Sequence, residues 1–166
     1  IPSKTLLHAA KIIGEAKEMD AHGISFGKPS INLQKLREWK NGIIMQLTGG
    51  LKKMAKQRNV TIINGFGKFI DSNHLQVTHI NEKITTINFS NAVIATGSRP
   101  AKLPFLPDDP RIVDSTGSLE IARIPKNLLV IGGGIIGLEM ATVYHALGTR
   151  ITIVEMLDGL LSGADR

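Results

Sequence analysis

With 166 residues, the chain could bury most of its apolar surface as one domain or hold two incomplete halves. It contains no cysteine, which excludes an internal disulfide framework and any thiol catalysis by these residues. A net charge of +6 raises nucleic acid as a partner, but the dense cluster Lys52, Lys53, Lys56 and Arg58 has no interleaved aromatics and reads as a solvated helix face. No run approaches the ~18 apolar residues of a membrane span and no signal peptide is visible. The default expectation is a soluble, cytoplasmic protein with no nucleic-acid or membrane partner.

Ser3 is a candidate N-cap for a first helix, with Leu6, Leu7, Ala10, Ile13, Gly14 and Ala16 at helical spacing and His22-Gly23 as its end. Lys4 falls in the first turn, where a cation opposes the helix dipole. That placement hints at a task beyond an ordinary surface lysine. Asn32 can cap a second, long helix running to about Arg58, its apolar side formed by Leu33, Leu36, Ile43, Ile44, Leu47, Leu51 and Met54. Gly49-Gly50 marks a weak point in it, and Trp39 reads as a packing residue.

Residues 60–64 suggest a short strand before Gly65-Phe66-Gly67. Three further extended runs, 68–70, 75–80 and 83–89, are separated by the turn sequences Asp71-Ser72-Asn73 and Asn81-Glu82, which predicts an antiparallel meander. Its alternation is polar enough for one face to meet water or a neighbouring domain. His74 and His79 show no carboxylate or cysteine at ligand spacing, so no metal site is expected. Residues 91–95 read as a buried strand ending in the small-residue turn Thr96-Gly97-Ser98, where α/β sheets place ligands. Pro100, Pro104, Pro107 and Pro110 then mark residues 99–110 as a linker, and residues 114–121 could form a short helix.

The stretch NLLVIGGGIIGLEMATVYHALGTRITIVE, from Asn127 to Glu155, carries the most chemistry. Residues 128–131 form an uncharged apolar run suited to a strand buried on both faces of a parallel sheet. The glycines Gly132, Gly133 and Gly134 interrupt it. A helix follows, with apolar positions Ile135, Leu138, Ala141, Val143, Ala146 and Leu147, and Gly148 stops it; residues 151–154 form a second strand that Glu155 ends. In such a βαβ unit Gly132-x-Gly134-x-x-Gly137 would serve, glycine by glycine, a tight turn, backbone contact with a pyrophosphate, and close approach of helix to strand. The helix N-terminus offers unpaired N–H groups and a positive dipole end to a diphosphate. Glu155 stands where a carboxylate can accept hydrogen bonds from ribose hydroxyls and repel a 2′-phosphate. With an opening of Ile1-Pro2-Ser3-Lys4 and a stop after one βαβ unit, the chain is expected to be an internal piece of a longer one.

Taken together, these motifs resemble the flavin-dependent pyridine nucleotide disulfide oxidoreductases, across the whole chain. IPSK is similar to the family's segment after the redox-active cysteine pair, NGFGKF to its adenine-contacting turn, AVIATGSRP to its second flavin motif, and VIGGGIIGLEMATVYHALG with ITIVE to its NAD site. GGGIIGLE, with both Glu139 and Glu155 present, favours the branch that reoxidises dihydrolipoyl groups. The resemblance implies an α/β fold of doubly wound Rossmann-type parallel sheets with an antiparallel meander at 66–90. Both cofactor domains would be incomplete: residues 1–110 part of an FAD-binding domain, and 111–166 the N-terminal part of an NAD-binding domain.

It further implies that Lys4, Gly67, Thr96, Gly97 and Ser98 contact FAD. Gly132, Gly133, Gly134, Ile135, Ile136, Gly137, Leu138, Glu139 and Glu155 would hold NAD. Lys4 and Glu139 would form a supporting catalytic pair, expected to be a buried ion pair because Glu139 interrupts an apolar run and needs a partner. The implied partners are the dihydrolipoyl domains of 2-oxo acid dehydrogenase complexes or of the glycine cleavage system, and a second subunit in a homodimer. The redox cysteines and the catalytic histidine of the family are absent here, and no histidine of this chain matches the latter. The alternatives are a soluble pyridine nucleotide transhydrogenase and a non-catalytic nucleotide-binding fragment.

Overall fold

A computed structural model describes residues 1–162. The chain is mixed α/β and divides into two compact units, Ile1–Thr48 with Pro100–Arg166, and Gly49–Arg99. In the first unit the first helix packs on the helix of the βαβ segment.

In the first unit, α1 (Pro2–Glu18) begins with Pro at its first position, where no N–H is needed, so Ser3 lies inside the helix and is not its cap. A short 3₁₀ turn, Met19–His22, continues it, and Gly23 closes it with φ +81°. Helix α2 (Leu33–Gln57) starts as its sequence suggests, with the Asn32 side chain accepting from the Lys35 N–H at 3.0 Å. It runs through Gly49-Gly50 without interruption. Only the beginning of its apolar stripe is covered: Leu33 and Leu36 pack on the core, whereas Leu47, Leu51 and Met54 are exposed. Trp39 is partly exposed beside His8, with ring centroids 6.5 Å apart.

The βαβ unit forms in full. Strand β4 (Asn127–Ile131) pairs in parallel with β5 (Arg150–Val154), bridged by α4 (Ile135–Ala146). Gly148, at φ +105°, turns the chain after the helix. Both strands alternate, with Leu129, Ile131 and Val154 exposed, so the sheet is covered on one face and not on both as its unbroken apolar runs suggest. Helix α4 is sandwiched between α1 and the sheet: its Met140, Val143 and Tyr144, with Leu147 just past its end, join Leu6 and Ala10 of α1 in the core, while Leu128 and Ile151 pack from the sheet. Burying a side chain such as Leu6 or Val143, each 1% exposed, contributes about 1.5–3 kcal/mol. The short helix expected near 114–121 is α3 (Ser115–Ser118), capped by Asp114 through the Gly117 N–H at 2.8 Å.

The second unit contains the expected meander. Strands β1 (Phe66–Phe69), β2 (His74–Thr78) and β3 (Ile84–Asn88) pair antiparallel in that order. The Asp71 carboxylate accepts from the N–H groups of Asn73 and His74, both at 2.8 Å, fixing the first turn. It also lies 2.9 Å from the His74 ring, a carboxylate partner overlooked at the level of sequence. Residues 60–64 and 91–95 are not strands, and Val93 and Ile94 are 91% and 73% exposed. An apolar β-branched run becomes a strand only with a neighbour to exchange hydrogen bonds, and these two have none among the described residues.

The α1–α4 contact generates a stability prediction. In the full-length protein, Leu6→Ala should lower the unfolding free energy by about 2–5 kcal/mol, measured by urea denaturation. A loss below about 1 kcal/mol would show that α1 is not a core element.

Candidate functional site

The glycine turn matches the three separate demands of its sequence pattern. Gly132 extends the sheet by donating its N–H to the Val154 carbonyl at 2.8 Å and then turns the chain at φ +103°, which an L side chain rarely adopts. Gly134 caps α4 with extended backbone and no side-chain hydrogen bond, and a Cβ there would meet open space. A Cβ on Gly137 would collide with the Gly132 carbonyl and lie 3.2 Å from the Val130 side chain. The pattern therefore yields a tight turn, an open backbone position and a close helix–strand crossing. Ile135 and Ile136 follow, both exposed, and Leu138 makes the first helical bond to the Gly134 carbonyl at 3.0 Å. The N–H groups ahead of Leu138 have no acceptor within the helix, which suits them to an anionic ligand.

Glu155, at the end of β5, reaches across to this turn. Its Oε2 accepts from the Gly133 N–H at 2.6 Å, and its Oε1 accepts from the N–H groups of Met156 and Leu157 at 2.8 and 2.9 Å. The Leu157 bond foremost, then that of Gly133, holds the carboxyl below its ordinary range. Gly133 is held from its other side as well, since its carbonyl accepts from the Leu161 N–H at 3.0 Å. The residue expected to meet ribose thus also staples the middle glycine. Arg166, the next basic residue after Glu155 in the sequence, lies outside the described residues.

Lys4 and Glu139 meet although 135 positions apart, Lys4 Nζ donating to Glu139 Oε1. The expectation of a buried pair needs correction: the Lys4 side chain is 71% exposed and that of Glu139 21%. Lys4 lies at the solvent-facing start of α1, where water screens the pair, so its net contribution is on the order of 1 kcal/mol or less rather than the several of a buried bridge. Beside Glu139 a cavity of about 210 Å³ opens between Ser115, Thr116 and Leu119 of the α3 segment and Ile136 and Met140 of α4, with Ser3 at its edge. That volume is below the range for whole drug-sized ligands, and the depression is about half open to solvent.

The residues assigned to flavin are less assembled. Gly67 lies in β1 opposite Val77, and Thr96, Gly97 and Ser98 are exposed and irregular, with Gly97 at φ +73°. Among the described residues no hydrogen bond joins the two segments. The turn, Glu155 and Glu139 fit a dinucleotide; the flavin positions of this chain do not by themselves form a cradle. Lys40 and Tyr144, which hold α3 from behind, carry no signal in the sequence, because a lysine in a polar helix segment reads as solvated.

A parallel βαβ unit with a glycine turn and a terminal acid, preceded by an antiparallel meander, is a mixed α/β arrangement of the dinucleotide-binding kind. The chain belongs to the pyridine nucleotide-disulphide oxidoreductase family, whose model matches residues 1–166. It is 54% identical over 167 aligned positions to the dihydrolipoyl dehydrogenase of Vibrio parahaemolyticus and 56% identical to that of Vibrio cholerae, in each case covering 100% of this chain and 35% of the relative. The dihydrolipoyl dehydrogenase of Geobacillus stearothermophilus is 41% identical with the same coverage. The chain thus spans about a third of the length of these curated relatives. The crystal structure of LpdA from Mycobacterium tuberculosis superposes with a TM-score of 0.83 at 24% identity, covering 97% of this chain and 36% of that one, which shows the shared fold.

Glu155 yields a pH prediction. Its folded pKa lies below 4.5, so the carboxylate's hydrogen bonds stabilise the turn above that value and are lost as pH falls through the depressed folded value. The Gly133 amide resonance should therefore titrate with a midpoint below 4.5. In Glu155→Gln the titration should vanish; its persistence would assign it to another group. For the exposed pair, Glu139→Ala should cost about 1 kcal/mol or less by chemical denaturation.

Proposed function

We propose that the full-length protein is an NAD-dependent dihydrolipoyl dehydrogenase. It would oxidise dihydrolipoyl groups of 2-oxo acid dehydrogenase complexes or the glycine cleavage system with FAD, NAD and a redox disulfide carried outside these residues. The observation that carries this is the 54–56% identity to two dihydrolipoyl dehydrogenases along the whole chain. The local geometry agrees with it, since Glu155 is locked against the glycine turn. A cytoplasmic, homodimeric enzyme belongs to the same proposal. Among the described residues no helix is long and apolar enough to cross a membrane.

In this reading residues 1–110 contribute to the FAD domain and residues 111–166 begin the NAD domain. When bound, the two cofactors supply the hydride chemistry. The chain's own residues bind and orient: Gly132, Gly133, Gly134, Ile135, Ile136, Gly137 and Leu138 form the diphosphate turn and the first turn of its helix. Glu155 would accept from the adenosine ribose with the one acceptor site of about four that its three backbone bonds leave free. With the cofactors bound, Glu139 would orient the carboxamide of the nicotinamide ring, and Lys4 would supply a positive charge on the flavin side. Gly67, Thr96, Gly97 and Ser98 would add flavin contacts only together with residues outside this chain.

The full-length protein should show a flavin spectrum and reduce NAD with dihydrolipoamide; a colourless protein without that turnover would refute the proposal. Because Glu155 stays ionised, kcat/KM for NAD should exceed that for NADP by roughly 10²-fold, the order expected for like charges ~4 Å apart near a partly screened surface. Glu155→Ala with an arginine introduced nearby should narrow that gap. Equal efficiency of the unaltered enzyme with both cofactors would remove Glu155 from the selecting role.

A further inference from the structure

Among the described residues the largest fully buried side chain is a lysine. Lys40, in the first half of α2, is 2% exposed, and an ammonium in that position is costly unless hydrogen-bonded. Its Nζ donates to the Leu119 carbonyl at 2.8 Å, while the exposed Glu120 carboxylate stands 3.8 Å away. Leu119 is the residue just past α3. The neighbouring carbonyl, that of Ser118, accepts from the Tyr144 hydroxyl of α4 at 3.0 Å. Two consecutive carbonyls at the end of α3 are therefore held by side chains reaching from two other helices.

These ties matter because α3 cannot hold itself. It has only 4 residues, far short of the ~12–15 at which an isolated helix becomes marginally stable, and its last carbonyls, those of Thr116, Gly117 and Ser118, accept only single backbone N–H groups from residues 119–121, the last at a long 3.4 Å. Asp114 fastens its front; Lys40 and Tyr144 fasten its rear. Ser115, Thr116 and Leu119 also line the cavity beside Glu139. Leu119 links the two functions, since its carbonyl meets Lys40 while the residue lines the cavity.

We propose that Lys40 is a positioning residue for the ring subsite beside Glu139: by holding the Leu119 carbonyl it fixes the α3 wall against which a carboxamide-bearing pyridine ring would rest. This rests on the dinucleotide reading of the site. Lys40 acts on the nicotinamide end of the ligand, whereas the glycine turn and Glu155 serve the adenosine diphosphate end. The two ends therefore respond differently to its loss.

The test compares binding of NAD and of ADP-ribose, which lacks the nicotinamide ring, to the full-length holoenzyme by calorimetry. Lys40→Met keeps the stem and removes the donor. NAD affinity should fall roughly tenfold, about the worth of one charge-assisted hydrogen bond, with ADP-ribose affinity unchanged. Hydrogen exchange in a peptide spanning residues 114–121 should quicken while that of 127–131 does not. Equal losses for both ligands, or none for either, would overturn the proposal and leave Lys40 a support of the fold alone. Should Lys40→Met not fold, Tyr144→Phe removes the hydroxyl that holds the adjacent Ser118 carbonyl and leaves that carbonyl only its long bond from the Ile121 N–H, with the ring's packing kept. The same selective loss of NAD is then expected, and an unselective one overturns the proposal. If the unsubstituted protein binds neither ligand, the dinucleotide reading itself fails, an outcome distinct from the preceding ones.

Discussion

The contact between α1 and α4 is the constraint on which the first unit depends. Leu6 and Ala10 meet Met140, Val143 and Tyr144, and this apolar seam brings the two ends of the chain together. Once it forms, Lys4 and Glu139 fall within reach without either side chain being the cause. The cavity beside Glu139 follows from the same seam, because Ser3 of α1 and Ile136 and Met140 of α4 contribute to its walls. Hydrophobic burial is non-directional, so the polar contacts at its rim provide the register.

A second level of order comes from backbone groups recruited by side chains. Glu155 takes three N–H groups, one from the glycine turn and two from the segment that follows β5. Thr149 does similar work at the other end of the sheet, its hydroxyl donating to the Pro125 carbonyl at 2.8 Å. Lys40 and Tyr144 do so for α3. Short elements with few bonds of their own acquire fixed positions this way, which is what a ligand subsite requires.

Much apolar surface stays exposed: the outer positions of β4 and β5, the later turns of α2, and residues 93 and 94. These belong to runs whose composition suggests burial. The family relatives are about three times as long as this chain, and a sheet with one bare face is what a third of such a fold presents.

Several features were legible in the sequence because they are set by neighbours along the chain. The βαβ unit could be read from apolar runs broken by Gly132, Gly134 and Gly137, and the meander from turns such as Asp71-Ser72-Asn73. The Asn32 cap and the pairing of Lys4 with Glu139 could also be anticipated, the latter through resemblance. Tertiary structure alone decided the rest. Pro2 displaced Ser3 as the start of α1, and residues 60–64 and 91–95 remained irregular because strand formation needs a partner that local composition does not specify. The exposure of Lys4, the burial of Lys40 and the grip of Glu155 on Gly133 likewise depend on which elements meet. Periodicity encodes which face of an element is apolar; it does not encode what arrives to cover that face, and so it is silent on where a charge is desolvated.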